Sequence, residues 1–262
     1  MQLAVNYSLP LARLIKDGSV QVDLIKCPDW EGMLEEASLY GPITIHFDLK
    51  AGLGSIFEID FERIKGFKEK TATPHINTHL VAPPNFDPAD AIERSKLNTL
   101  WREEISRMTD YFDSKGVALE HFPFTEKTPH LRYATDSQVF TNVIVDTNCM
   151  LLLDLAHARI TANTLGIDVK EYISNLPLDR LVEMHITGVR FYNGVLEDHF
   201  ELDEEDWVLF DWALNQIRSG VWRKPEMLAF EYGGIGEVFV WRTNQAVLRE
   251  QVPRLYQAVH AV

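Results

Sequence analysis

Eight short apolar, β-branched runs, the amphipathic stretches between most of them, and a 262-residue length without a low-complexity linker predict a single (β/α)8 TIM barrel. The runs fall at residues 3–6, 20–26, 43–48, 76–81, 117–121, 150–154, 181–187 and 227–232. Helical patterns follow at 30–39, 61–68, 88–114, 138–147, 169–175, 204–219 and 243–259. Gly41-Pro42, Ala82-Pro83-Pro84, Gly188 and Gly233-Gly234 mark loops between them. Open doubly wound sheets usually hold about five to seven strands, so eight favour a closed barrel. One domain over residues 1–262 is expected.

The chain carries 39 acidic side chains against 25 Lys plus Arg, a formal net charge of −14. Scattered basic residues on an acidic background speak against unaided nucleic-acid binding, which needs clustered positive charge, and against anionic membranes. The opening residues lack a basic segment and are broken by Asn6, Ser8 and Pro10. No run approaches the roughly eighteen apolar residues of a membrane span. Cys27 and Cys149, the two cysteines, make neither a disulfide framework nor a thiolate zinc site. A cytoplasmic protein with reduced thiols is expected, with Cys149 structural and Cys27 a small buried side chain by default.

Chemistry gathers at the strand ends. From the third run onward the sequence reads ITIHFDL, HINTHLVAP, VALEHFP, LLLDLAHA, LVEMHITG and MLAFEYGG, each closing on His, Glu or Asp. Strand side chains alternate faces, so Thr44, His46 and Asp48 share one face. Asn77 and His79, Ala118 and Glu120, Leu152 and Asp154, Glu183 and His185, and Ala229 and Glu231 do the same. These sets are expected to line the C-terminal mouth, with His75 and His121 facing away from it. Any one of them alone reads as a hydrogen-bonded core histidine or half of an ion pair; six successive strands ending this way read as a site. A ring of buried carboxylates and imidazoles requires compensating charge, which metal ions supply. Imidazole and carboxylate ligands without thiolate suit Fe, Mn, Zn or Co, and more than four of them exceed one tetrahedral ion. Two or three bridged ions are therefore expected.

The segment LLLDLAHARITANTLGIDVKEYISNLPLDRLVEMHITG resembles the multinuclear non-haem iron oxidative enzymes, a family long catalogued as a domain of unknown function that includes the methanobactin-biosynthesis iron enzyme. The family's LLLDxNN resembles residues 151–157, its Gly-[IF]-Asp-x3-Tyr resembles Gly166-Ile167-Asp168 with Tyr172, and its LPLxRxxEIHLAG resembles residues 176–188. Its Ser-Leu-His, Glu-His-Leu and Leu-Glu-Asn correspond to Thr44-Ile45-His46, Thr78-His79-Leu80 and Leu119-Glu120-His121. Its Asp-Thr-His and Ile-Glu-Trp correspond to Glu197-Asp198-His199 and Phe230-Glu231-Tyr232.

The resemblance implies a xylose-isomerase-like barrel binding two or three ions, iron foremost, with Mn or Zn as alternatives. It implies His46, His79, Glu120, Asp154, His185, His199 and Glu231 as ligands, with Glu197 joining them. His157 stands where the family has Asn and can itself ligate. Lys26-Cys27-Pro28 also departs from the acidic and Asn residues that end the family's second strand, and the family's Gly-rich opening is replaced by Asn6-Tyr7-Ser8.

The implied reaction is O2-dependent oxidation of a substrate such as a Cys-containing peptide, presented with a partner protein; no separate general base is identifiable. A divalent-metal sugar isomerase, epimerase or phosphodiesterase, with His157 or Lys26 moving protons, is the alternative among enzymes. A metal-binding scaffold without turnover is the alternative outside them. Glu183 and Thr187 are placed to hydrogen-bond behind His185, a structural role being the alternative.

Overall fold

The computed structural model describes residues 1–237 and 239–262. Its strands are β1 (Gln2–Asn6), β2 (Leu24–Cys27), β3 (Ile43–Ile45), β4 (Lys50–Ala51), β5 (Ile76–Leu80), β6 (Val117–His121), β7 (Met150–Asp154), β8 (Leu181–Ile186), β9 (Gly188–Tyr192), β10 (Val195–Phe200) and β11 (Met227–Phe230). Its helices are α1 (Leu9–Lys16), α2 (Glu31–Ser38), α3 (Phe61–Lys70), α4 (Ala91–Phe112), α5 (Ser137–Thr147), α6 (Leu155–Leu165), α7 (Val169–Ser174), α8 (Glu204–Arg218) and α9 (Gln245–His260). Nine parallel strands follow the order β3-β2-β1-β11-β8-β7-β6-β5-β4. The two outer members, β3 and β4, are successive pieces of one stretch of chain, so the sheet curls into a (β/α)8 barrel whose third strand is broken at residues 46–49.

Side chains stitch that break. Ile45 N–H donates to Thr73 Oγ1 at 2.9 Å and Phe47 N–H to Asn77 Oδ1 at 2.8 Å. Asn77 Nδ2 returns a bond to the Phe47 carbonyl at 3.0 Å. The backbone ladder resumes where His79 N–H reaches the Leu49 carbonyl at 2.9 Å. The predicted strand over 43–48 therefore ends early, because polar side chains satisfy backbone groups that a regular strand would pair. Beyond the break, the chain turns at Gly52 (φ +115), where a Cβ would run into the Val81 carbonyl. The buried Glu104 carboxylate accepts from Gly52 and Ile56 N–H and clamps this turn to α4.

Acidic residues start the helices. Asp60, Asp90, Asp136, Asp154, Asp168 and Asp203 each accept from the first-turn backbone of α3 to α8, where the helix dipole favours negative charge. Part of the acidic excess is thus structural. The inward faces of the strands alternate into two layers. Leu24, Ala118, Met150, Leu152, Met227 and Ala229 are buried as an apolar floor. One step further along the same faces come Lys26, Glu120, Asp154 and Glu231, which form the polar mouth above it.

Two helices and a hairpin lie outside the expected pattern. α1 begins on Ser8 and takes Pro10 into its first turn, α6 begins on Asp154, and β9 and β10 form an antiparallel hairpin beyond β8. Gly188 opens that hairpin because any Cβ would meet the Glu201 carbonyl. Among the described residues no helix is long and apolar enough to cross a membrane.

The seam makes a prediction. Asn77→Ala leaves the buried N–H and C=O of Phe47 without partners, and is expected to lower the unfolding free energy by about 2–4 kcal/mol. Urea denaturation checks this, and an unchanged midpoint contradicts it.

Candidate metal centre

Glu120, at the end of β6 and 1% exposed, is the hub of the mouth. Its Oε2 lies 3.1 Å from His79 Nε2 and 3.7 Å from His46 Nε2, while its Oε1 lies 3.3 Å from His157 Nδ1 and 3.5 Å from His185 Nδ1. One carboxylate thus faces two imidazoles with each oxygen. Asp154 Oδ2 lies 3.7 Å from both His157 Nε2 and His185 Nδ1, and Glu231 Oε1 lies 3.5 Å from His185 Nδ1. His157 reaches this point because Asp154 caps α6, accepting from the His157 N–H at 2.8 Å; one residue both starts the helix and orients its first-turn imidazole.

The β10 segment contributes unevenly. Its register shifts between Glu197 and Phe200, and His199 adopts φ +63. Strand alternation fails there, and Asp198 turns inward with Oδ2 3.2 Å from His157 Nε2. His199 packs beside it, its Nδ1 2.7 Å from the Glu231 carbonyl and its Nε2 3.8 Å from Asp198 Oδ1. Glu197 instead pairs with Arg242 at 2.8 Å, so its carboxylate is already matched by a guanidinium.

Three candidate ligand groups result: His46, His79 and Glu120; His46, His185 and Glu231; and Glu120, Asp154 and His157, the donor atoms within each group lying within 4.8 Å of one another. Asp48 is drawn outward to Lys50 at 2.8 Å. His121 packs outward between Phe140 and Tyr172. His75, contrary to expectation, points inward, because residues 75, 77 and 79 share one parity; its Nε2 lies 2.7 Å from Glu183 Oε2. Glu183 Oε1 lies 2.7 Å from His185 Nε2, which turns His185 Nδ1 to the centre.

Electrostatics tie these groups together. Burial alone would raise the Glu120 carboxyl, yet the imidazoles of His79 and His185 hold it well below the usual carboxylate range. Burial opposes ionisation of Glu183 and Glu231 too; Lys26 and His185 depress the first, His185 and then Lys26 the second. His157 is pushed the other way, to about 10, because Asp154, Asp198 and Glu120 outweigh the cost of burying its charge. Buried atoms left without hydrogen-bond partners include His79 Nδ1, Glu120 Oε2, Asp154 Oδ2 and His185 Nδ1. All four belong to the candidate ligands, and buried carboxylate oxygens gathered with imidazole nitrogens call for positive charge, from bound protons or from a cation. The residues present therefore fit bound metal. Oxygen and nitrogen donors without thiolate suit divalent first-row ions.

The family model described as RiPP precursor modification enzyme MbnB/TglH/ChrH matches residues 92–230, more than half of the chain. The chain belongs to this family. A UPF0276 protein of Acaryochloris marina is 23% identical over 222 residues, covering 80% of this chain and 74% of the relative. A UPF0276 protein of Caulobacter vibrioides is 28% identical over 189 residues, covering 68% and 65%. Among solved structures, a putative xylose isomerase from Rhodospirillum rubrum aligns with TM-score 0.61 at 15% identity, covering 100% of this chain and 99% of that one. The IolI protein with a binding zinc atom aligns at 0.59 and 14%, over 100% and 99%. A D-psicose 3-epimerase aligns at 0.58 and 16%, over 100% and 98%. These structural likenesses establish a xylose-isomerase-like TIM barrel.

The MbnB/TglH/ChrH pattern did not make every participant visible. Asp198 was matched to a family Thr, and its inward turn comes from a bulge with no signature in the sequence. Lys26, 3% exposed, carries the only ammonium among the described residues that line the mouth.

Two predictions follow from this geometry. Asp154→Asn keeps an acceptor for the α6 cap and removes the charge, so it should fold and lose most bound metal. Cys149→Ala should keep it; equal metal content by elemental analysis contradicts the role of Asp154. The second concerns the metal-free protein. The depressed folded values of Glu120, Glu183 and Glu231 contribute stability that is present above their ordinary 4.5 and lost as pH falls. The raised value of His157 contributes stability that is full below its ordinary 6.5 and lost as pH rises through about 10. The melting temperature should peak between these limits, and metal should remove the alkaline decline by replacing the proton. Calorimetry across that range checks it, and a flat alkaline limb in the metal-free protein contradicts it.

Proposed function

We propose that this chain is an oxidative, iron-dependent member of its family that acts on a cysteine-bearing peptide with O2, using at least two ions. The observation that carries the reading is Glu120, whose two oxygens face different imidazole pairs and so suit a bridge between cations. His46 and His79 would hold one ion with Glu120; Asp154, His157 and His185 would hold the other, with Glu231, Asp198 and His199 beside them. Glu197 is proposed to hold Arg242 rather than metal. Bound iron would supply Lewis acidity toward a thiolate and redox chemistry with O2.

The chain's own residues shape the rest. The mouth is a cavity of about 710 Å3, roomy enough for a side chain and its neighbouring peptide units. Trp30, Met33, Phe122, Leu196, Ile235 and Phe239 line its rim and exclude water from the approach. Its Lys and Arg groups among the described residues, Lys26 and Arg242, are engaged by Glu231 and Glu197. A phosphorylated substrate therefore finds no free ammonium or guanidinium there, and its phosphate would rest on bound metal alone. His185 is oriented by Glu183, and His157 by the His121 carbonyl at 2.9 Å from its Nδ1, so both rings are fixed before substrate arrives.

Reduced, iron-loaded protein is expected to consume O2 only when a cysteine-containing precursor peptide encoded beside its gene is present, supplied with its partner protein. The Cys→Ser peptide should give no uptake. An oxygen electrode and mass spectrometry of the peptide read the outcome. Intact peptide with the iron-loaded protein and partner, or sugar turnover under argon with manganese, contradicts the oxidative reading.

A further inference from the structure

Lys26 occupies a place among the candidate ligands that calls for a cation. It lies at the inner end of β2 with its side chain 3% exposed, and its Nζ is 2.6 Å from Glu231 Oε1, 2.6 Å from His185 Nε2 and 3.6 Å from Glu183 Oε1. Glu231 Oε1 also lies 3.5 Å from His185 Nδ1, so the His46, His185 and Glu231 group shares its carboxylate with the ammonium. An ion bound to that oxygen at an ordinary distance of about 2.1 Å would lie within about 5 Å of Nζ, in a buried corner where like charges are poorly screened.

The charge balance points the same way. Five carboxylates, Glu120, Asp154, Glu183, Asp198 and Glu231, converge on the mouth, and Lys26 is the one Lys or Arg whose charged group pairs with any of them among the described residues. One ammonium leaves four negative charges, the complement of two divalent ions. We propose that Lys26 stands in for a metal ion, so that the residues around Glu120 would hold two ions and the corner formed by Glu183, His185 and Glu231 would hold none. This rests on the metal-centre reading above. Lys26 is then a positioning residue: it fixes Glu231 and sets how many ions the mouth admits, and His75 on the far oxygen of Glu183 completes the metal-free corner.

Anaerobic equilibrium dialysis against Mn(II), with metal and protein measured on the same sample, tests this. Wild type is expected to bind two ions per chain, and Lys26→Arg two. Lys26→Met removes the ammonium and is expected to bind three, a gain that a merely structural lysine would not produce. Three ions in wild type, or two in a Lys26→Met protein with a native circular-dichroism melt, overturns the inference while leaving the metal centre standing. If Lys26→Met does not fold, Lys26→Gln and the wild-type count decide in the same way. No ion bound to wild type overturns the metal centre and this inference together.

Discussion

Buried negative charge is the constraint on which the site depends. Glu120 is enclosed by four imidazoles whose nearest nitrogens lie 3.1 to 3.7 Å away, and Asp154 is fully buried beside it with one oxygen unpartnered. An isolated carboxylate in such a place costs several kcal/mol, and a group of them is tolerable only when positive charge is built in or bound. The chain builds in one ammonium and draws protons onto His157 and His185. Metal ions would do the same work with the imidazoles neutral and their lone pairs committed.

The barrel makes this arrangement possible. Parallel strands bring residues distant in sequence to one height, so that His79 is level with Glu120 and Asp154 with His185. The apolar floor of Leu24, Ala118, Leu152 and Ala229 closes the barrel beneath them and supplies stability separately from the chemistry. The break in the third strand belongs to the same design. Asn77 bonds Phe47 on both backbone groups, and its Nδ2 lies 3.0 Å from His46 Nε2, the nitrogen that faces Glu120, so the residue that repairs the seam also holds the ring of a candidate ligand through a bond that metal at that nitrogen would replace.

Much of this was legible in the sequence. Each of the eight runs contains a strand because β-branched apolar segments between turn residues have few alternatives, and the strand-end His, Glu and Asp residues meet through alternation and parallel register, except Asp48, which lies beyond the break in the third strand. The hairpin was missed although Tyr192-Asn193-Gly194-Val195 carries its signal: Asn193 and Gly194 both take positive φ. Helix α6 has its two ends marked by Asp154 and Gly166, but Asp154 ends a strand and caps the helix at once, so no loop separates the two elements in the sequence pattern. The side chain that Glu197 contributes to Arg242, and the one that Asp198 contributes to the centre, were exchanged by a bulge, which period-two reasoning cannot see. Lys26 departs from the family pattern in the sequence, but its value as a charge depends on Glu183 and Glu231, which only the fold sets beside it.

Glu120 is placed to be shared between two ions. X-ray absorption at the metal edge of the loaded protein tests it most directly. A shared carboxylate would give a metal neighbour at about 3.5–4 Å from the absorbing ion, the spacing of two-metal sites. A spectrum with nitrogen and oxygen neighbours and no metal scatterer, in protein carrying its full complement of ions, would contradict it.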